Sequence, residues 1–269
     1  MATANCCIVS AFLTNVNRRE DRSIQKYVDF GKQLLALDKI PKIVFLERAV
    51  YFAHFGEPAT ERVFVYRDMR YTCIDRDPNL TVVFFEQSDN YLCAYRESAT
   101  NFSVETSYPA KDTLDYMFVQ CHKTEWVAMA IACRGSAATS KYAWVDFGLR
   151  HMYRSDAAFE AAIYGLGEWM AAYSGAAIMA PSCWSPDYVY YQDIYRNIHW
   201  IFAGSAFIGR TEAMLEFARR MREKCVSILT VEKRLMWEVN VWYMVFLECR
   251  HLFQFYHADH NESILSLPV

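Results

Sequence analysis

CIVSAFLTNVNRREDRSIQKYVDFGKQLLALDKIPKIVFLE, residues 7–47, decides the fold class. Its first piece, Cys7 to Leu13, is a short β-prone run ending in polar Thr14 and Asn15. The middle piece, residues 22–37, repeats apolar residues at helical spacing through Ile24, Tyr27, Val28, Leu34 and Leu35. Pro41 then opens a second apolar run, PKIVFLE. A strand, a helix and a strand joined by a crossover of this length predict two parallel neighbours in one sheet.

Outward from this unit the same alphabet recurs. RVFVYRD (62–68) and TVVFFEQ (81–87) read as further strands. DTLDYMFVQCHKTEWVAMAIAC (112–133) reads as one long helix with Asp112 at its start and Gly135 after its end. The strand YAWVDFG (142–148) follows directly, and SDAAFEAAIYGLGEWMAAY (155–173) is helical in pattern. GAAIMAPSCW (175–184) is a strand running into a loop, and WIFAGSAFIG (200–209) a strand entering a tight, glycine-marked turn. TEAMLEFARRMREKCVSIL (211–229) predicts an amphipathic helix with Thr211 as N-cap and Met214, Phe217, Met221 and Cys225 on one face. LMWEVNVWYMVFLECR (235–250) predicts a buried helix before FQFYHADHNESIL closes the pattern. No repeat, low-complexity tract or linker divides the string. The expectation is one α/β domain, residues 1–269, with a mostly parallel central sheet flanked by helices. Ligands of such sheets bind at the carboxyl ends of strands, near the residues that follow Leu13, Phe45 and Val145.

Composition narrows the function. The 269 residues are 54% hydrophobic, enough for a sizeable core, and 28 basic residues face 31 acidic ones. That near balance, without a long block of like charge, argues against a nucleic-acid or membrane-surface partner. The nine cysteines contain no C-x-x-C pair and read as packed, reduced thiols. The apolar stretch near the start is too short for a membrane span or a signal peptide, so the expected location is cytoplasmic. G-x-S-x-G, P-loop and G-x-G-x-x-G patterns are missing, which weakens serine-hydrolase, P-loop and dinucleotide readings.

Four stretches hold residues suited to chemistry. In KYAWVDFGLRH (141–151), Asp146 interrupts an apolar run; it must be protonated, hydrogen-bonded or held against a cation. A hard divalent ion shared with substrate phosphates is one answer, and capping of the helix after Gly148 is the other. YHADHN (256–261) offers His257, Asp259 and His260 as ligands, or is a surface turn. FAGSAFIG (202–209) brackets small residues between Gly204 and Gly209, either for close approach to a ligand or for a plain bend. WEVNVWY (237–243) places Glu238 and Asn240 in an apolar helix; a carboxylate there is either a general base or a buried hydrogen-bonding group. Lys123 reaches a phosphate or is a solvated helix lysine.

These pieces, in this order, resemble the HtrL/YibB (WlaTC) type of glycosyltransferase and its relatives in large DNA viruses. The resemblance rests on IVSAFLTNV, RSIQKYVDFGKQLLAL, PKIVFLE, the K-T-E-W helix, YAWVDFG, FAGSAFIG, WEVNVWY and ADHN. It implies a GT-A type fold, with about residues 1–150 binding a nucleotide sugar and about 151–269 binding a glycan acceptor. It implies transfer of a hexose or pentose from a donor such as UDP-galactose or UDP-glucose, in viral or surface glycan synthesis and in the host cytoplasm. Asp146, Asp259 and His260 are then the ligands of Mn²⁺ or Mg²⁺, although Val145 and Phe147 break the usual Asp-x-Asp pair. Ala11, Phe12 and Leu13 fall to the base and ribose, Arg22 to the diphosphate, Glu47 to the base, and Lys123 to a phosphate or the sugar. Gly204 and Ser205 line the sugar and acceptor, and Glu238, with Asp146, sits at the reacting centre. The competing classes are a sugar nucleotidyltransferase on a similar sheet and a non-catalytic carbohydrate-binding protein.

Overall fold

The computed structural model describes residues 6–14, 23–56, 60–135, 140–187 and 192–268. Strand β1 (Cys6–Phe12) pairs in parallel with β2 (Lys42–Leu46), and helix α1 (Ile24–Ala36) packs between them in sequence, as the opening stretch predicts. Ser23 accepts a hydrogen bond from the Lys26 amide and caps α1. Tyr27, Val28, Leu34 and Leu35 are buried, whereas Ile24, expected on the same stripe, is exposed in the first turn.

After helix α2 (Arg48–His54), β3 (Glu61–Tyr66), β4 (Met69–Asp77) and β5 (Leu80–Phe84) extend the sheet. Strand β4 has no counterpart in the sequence reading. It is joined to β3 by Arg67 and Asp68, both in left-handed backbone (φ 46° and 65°), a two-residue hairpin turn written without glycine or asparagine. The expected long helix is two: α3 (Leu114–Cys121) and α4 (Lys123–Arg134), broken at His122. The two halves serve different partners, α3 packing on α7 (Glu238–Glu248) and α4 on β3 and α6 (Thr211–Ser227), which one straight rod would not reach.

Strand β6 (Lys141–Val145) pairs in parallel with β1 and stops one residue before Asp146. Helix α5 (Asp156–Ala172), β7 (Ile178–Ser182), β8 (Ala206–Arg210), α6, α7 and β9 (Phe253–His257) complete the described elements. One nine-stranded sheet runs β3-β4-β5-β2-β1-β6-β8-β7-β9. Its centre, β5-β2-β1-β6, is parallel, the β7–β9 pair is parallel, and the pairings at β3–β4–β5 and β6–β8–β7 are antiparallel.

Residues alternate between two buried faces, so each central strand reads as a continuous apolar run. Cys7 and Val9 join Trp126, Trp144, Phe207, Met221 and Trp242 on the side of α3, α4, α6 and α7. Cys6 and Ile8 join Leu34, Ile163 and Met170 on the side of α1 and α5. All nine cysteines are free thiols. No helix among the described residues is long and apolar enough to cross a membrane.

Three local expectations change. Gly209 lies inside β8 opposite Tyr142 and marks no turn; a Cβ there would stand 2.6 Å from Ile178 Cδ1 of the adjoining strand. Thr211 is the first residue of α6 and no N-cap, because the strand conformation persists through Arg210 and the Thr211 amide donates to the Ser140 carbonyl. Helix α7 begins at Glu238, so this residue occupies a helix start and not a helix interior.

Candidate active site

The carboxyl ends of β1 and β6 open into a cleft of about 850 Å³. Ala11, Phe12 and Leu13 come to it from β1, and Asp146, Phe147 and Gly148 from the segment after β6. Gly204 and Ser205, just before β8, the start of α7, and the turn at His260 and Asn261 form the facing wall. Phe12 stacks on Phe147 (ring centroids 5.2 Å) and on Tyr27 (5.7 Å), giving the cleft an aromatic floor.

Lys123, the first residue of α4, is buried with its Nζ at the meeting point of three chain segments. Nζ lies 2.9 Å from Glu238 Oε1 and 3.0 Å from Asp146 Oδ1, and it donates to the Gly204 carbonyl at 2.9 Å. Burial alone would depress the lysine pKa; the Asp146 and Glu238 carboxylates more than offset this and hold it above the usual lysine range. The solvated-lysine reading of Lys123 is therefore corrected: the side chain points inward because α4 is restarted after the break at His122.

The cation that answers for Asp146 within the chain is this lysine. Asp146 Oδ1 also accepts the indole N–H of Trp144 at 2.7 Å, and its backbone amide donates to Ser205 O at 2.9 Å. Trp144 and Asp146 are two residues apart, so the end of a strand turns both to one side. The helix-cap reading fails: the short 3-10 turn Leu149–Met152 has Gly148 at its cap and no side-chain cap bond. Glu238 is likewise not a lone carboxylate in an apolar pocket, since Lys123 neutralises it. A Cβ on Gly204 would collide with Glu238 Oε1, so glycine here makes space for that carboxylate.

Of the residues singled out in the sequence, Ala11, Phe12, Leu13, Lys123, Asp146, Gly204, Ser205, Glu238 and His260 line this one cleft. Arg22 lies outside the described residues. Glu47 is not on the cleft wall: it is buried and accepts from Thr14 N (2.8 Å) and Thr14 Oγ1 (2.6 Å), fastening the loop after β1 to the start of α2. Asp259 and His260 do not converge with Asp146. Among the described residues the group of three that does converge is Cys183, Asp259 and His260, with ligand atoms within 4.8 Å of one another, while His257 stands apart at the end of β9. Asn240 is a buried structural group, accepting from His199 N (2.8 Å) and donating to the Ile194 and Asn197 carbonyls.

Tyr116, Trp144, Trp200 and Trp237 also line the cleft and escaped the sequence reading. Only Trp144 left a signal, its spacing of two from Asp146. The others are aromatic residues in a chain that is 16% aromatic, where a cleft residue and a core residue look alike.

A hard divalent ion tests the donor set directly. Such ions keep several waters and are held by one or two carboxylates together with substrate phosphates. Asp146, with its side chain 34% exposed at the cleft, fits as one attachment point.

No known family profile and no curated protein sequence matches the chain. Among solved structures, the apo form of mouse xyloside xylosyltransferase 1 is similar at 12% identity over 93% of this chain and 84% of that one, with TM-score 0.47. A 4-diphosphocytidyl-2C-methyl-D-erythritol synthase from Anaerococcus prevotii aligns at 8% identity, 94% and 86% coverage, and TM-score 0.41. The manganese complex of Rv0371c from Mycobacterium tuberculosis aligns at 10% identity, 95% and 88% coverage, and TM-score 0.38. Likenesses this distant carry no weight for chemistry, which rests on the geometry of the cleft.

Proposed function

We propose that the chain is a glycosyltransferase of the HtrL/YibB-like kind, taking a UDP-sugar as donor and a glycan hydroxyl as acceptor. The observation that carries this reading is the buried Lys123 held between Asp146 and Glu238 on the wall of a large cleft at the carboxyl ends of parallel strands. A nucleotide sugar is a flat base and a sugar joined by a diphosphate, and it suits a site with an aromatic floor, an accessible carboxylate able to hold a divalent cation and a volume within the ordinary ligand range.

In this reading residues 1–150 supply the donor side, with Ala11, Phe12 and Leu13 at the base and ribose. Residues 151–269 supply the acceptor side, with Gly204 and Ser205 at the transferred sugar. Departure of the diphosphate concentrates negative charge, and a preorganised cation in a water-poor cleft is worth several kcal/mol against it. Lys123, fixed by Glu238 and the Gly204 carbonyl, has its own charge offset by the two carboxylates, so its part is to hold Asp146 in place toward the substrate. Asp146, the more exposed carboxylate, faces the substrate; Glu238, ion-paired behind it, serves by anchoring the lysine. Asp146 would be the residue to hold Mn²⁺ or Mg²⁺, which when bound would supply the positive charge that the leaving diphosphate needs.

Calorimetric titration with UDP, with and without Mn²⁺, tests the reading together with a panel of UDP- and GDP-sugars assayed for hydrolysis and thermal shift. Tight UDP binding that is lost in Asp146→Asn, with the fold intact, is the expected result. Equal affinity of variant and parent, or no response to any nucleotide sugar, would refute it; formation of a nucleotide sugar and pyrophosphate from a sugar phosphate and a nucleoside triphosphate would assign the nucleotidyltransferase class.

A further inference from the structure

We infer that Cys183, Asp259 and His260 form a metal site of their own at the rim of the cleft, suited to zinc and not to the hard ions expected at Asp146. The sheet builds the site. β7 and β9 are parallel neighbours with Ser182 opposite His257, and the Ala258 amide donates to Ser182 O at 3.1 Å. The residues that follow each strand, Cys183 on one and Asp259–His260 on the other, therefore leave the same edge side by side. The Cys183 amide donates to Ile201 O, and the Asp259 amide donates to Ser263 Oγ at 2.9 Å. Trp200 meets the His260 ring edge to face at 4.3 Å and limits its rotation.

The distances separate two readings of the trio. In a nucleophile relay the imidazole uses one nitrogen for the thiol and the other for the carboxylate. Here the same nitrogen, His260 Nδ1, lies 3.7 Å from Cys183 Sγ and 3.6 Å from Asp259 Oδ1. Three donors turned toward one point make a coordination sphere and not a relay. Tetrahedral zinc, with its usual bond lengths to sulfur, nitrogen and oxygen, would set S···N at about 3.6 Å and N···O at about 3.3 Å. The observed edges lie within a few tenths of an ångström of both. A thiolate beside an imidazole selects a soft or borderline ion over Mn²⁺ or Mg²⁺. Three protein ligands leave the fourth tetrahedral position to solvent or a cleft-bound group, and His260 itself lines the cleft.

The inference does not depend on the transferase reading, and its test is separable from it. The full chain, stripped with a chelator, is titrated with Co²⁺ and followed by absorption, and with Zn²⁺ followed by calorimetry and thermal melting. One equivalent of Co²⁺ giving a thiolate charge-transfer band and tetrahedral visible bands is expected, with Zn²⁺ displacing it and Mn²⁺ not. Cys183→Ser should abolish the band and weaken Zn²⁺ by more than the about 10–100-fold that outer-shell changes cost, while Asp146→Asn leaves both unchanged. Metal-free melting of Cys183→Ser identical to the parent shows that the variant folds, and His260→Ala is the second variant should it not. No charge-transfer band, or a band that survives Cys183→Ser, overturns the site whatever the outcome of the UDP titration.

Discussion

Replacing Lys123 by methionine keeps the length and apolar stem of the side chain and removes its charge. The loss can be worked from the three groups around Nζ. Glu238, with a side chain 7% exposed, would be left as a buried carboxylate without its cation, a change that costs about 3–5 kcal/mol. Asp146 is 34% exposed and can turn to water, so its share is below about 1 kcal/mol. The Gly204 carbonyl loses a charge-assisted donor at 2.9 Å, worth about 1 kcal/mol more. Lys123→Met should therefore destabilise by about 4–7 kcal/mol, a large part of the roughly 5–15 kcal/mol that holds a typical domain folded. Urea unfolding followed by the fluorescence of the seven tryptophans reads this directly. The decisive arm is the double variant Lys123→Met, Glu238→Gln: with the orphaned charge gone, about 3 kcal/mol should return, as a coupling term in a double-mutant cycle. A single variant within about 1 kcal/mol of the parent, or a cycle with no coupling, would refute the account of a lysine clamped between two carboxylates.

Other outcomes follow from neighbouring features. Gly204→Ala puts a methyl group where Glu238 Oε1 lies and should cost about 1–3 kcal/mol in urea unfolding while weakening UDP binding; unchanged values would show that Glu238 is free to move. His122 is ringed by Phe85, Tyr91 and Trp126, and burial lowers its pKa from 6.5 to about 3. The unfolded chain takes up this proton first, so stability falls as pH drops below about 6.5 and stops falling on this account near 3. Between pH 7.5 and 5.5 the loss is about 1.4 kcal/mol, and His122→Leu should remove most of that slope in unfolding measured at both values. Glu125 is buried and accepts from Tyr66 OH (2.7 Å), Arg67 Nε (2.9 Å) and Arg222 Nη2 (2.7 Å). Although its burial works the other way, the Arg222 pairing leads the groups that hold its pKa below the usual carboxylate range. Glu125→Leu should cost about 1–3 kcal/mol by leaving the partly buried Tyr66 hydroxyl and Arg222 guanidinium without their acceptor; a loss near zero in chemical denaturation would contradict that.

The parallel centre of the sheet was legible because β1, α1 and β2 announce themselves through period and a proline, and because buried parallel strands are unbroken apolar runs. The β3–β4 hairpin was not, since Arg67 and Asp68 adopt left-handed backbone without the residues that usually advertise it. The break at His122 was equally hidden: nothing local interrupts the helical pattern, and the change of direction comes from the separate partners of α3 and α4. At the site, Asp146, Lys123, Gly204 and Glu238 were each conspicuous as polar or small residues in apolar text. Their joining into one cluster was not readable, because a linear string does not say that a lysine on α4 enters between the ends of β6 and α7. His260 was visible as a ligand type, whereas its neighbour Cys183 passed as one thiol among nine.

Lys123 and Glu238 are 115 positions apart, and Asp146 lies 23 beyond the lysine. During synthesis from the N-terminus, a chain that has emerged through β8 already owns the lysine, the aspartate and the Gly204 carbonyl but waits for the glutamate that completes the lysine's set of partners. The cleft wall is thus among the last parts to mature, and shortened chains ending before α7 should form a sheet whose buried lysine still lacks its contact to Glu238.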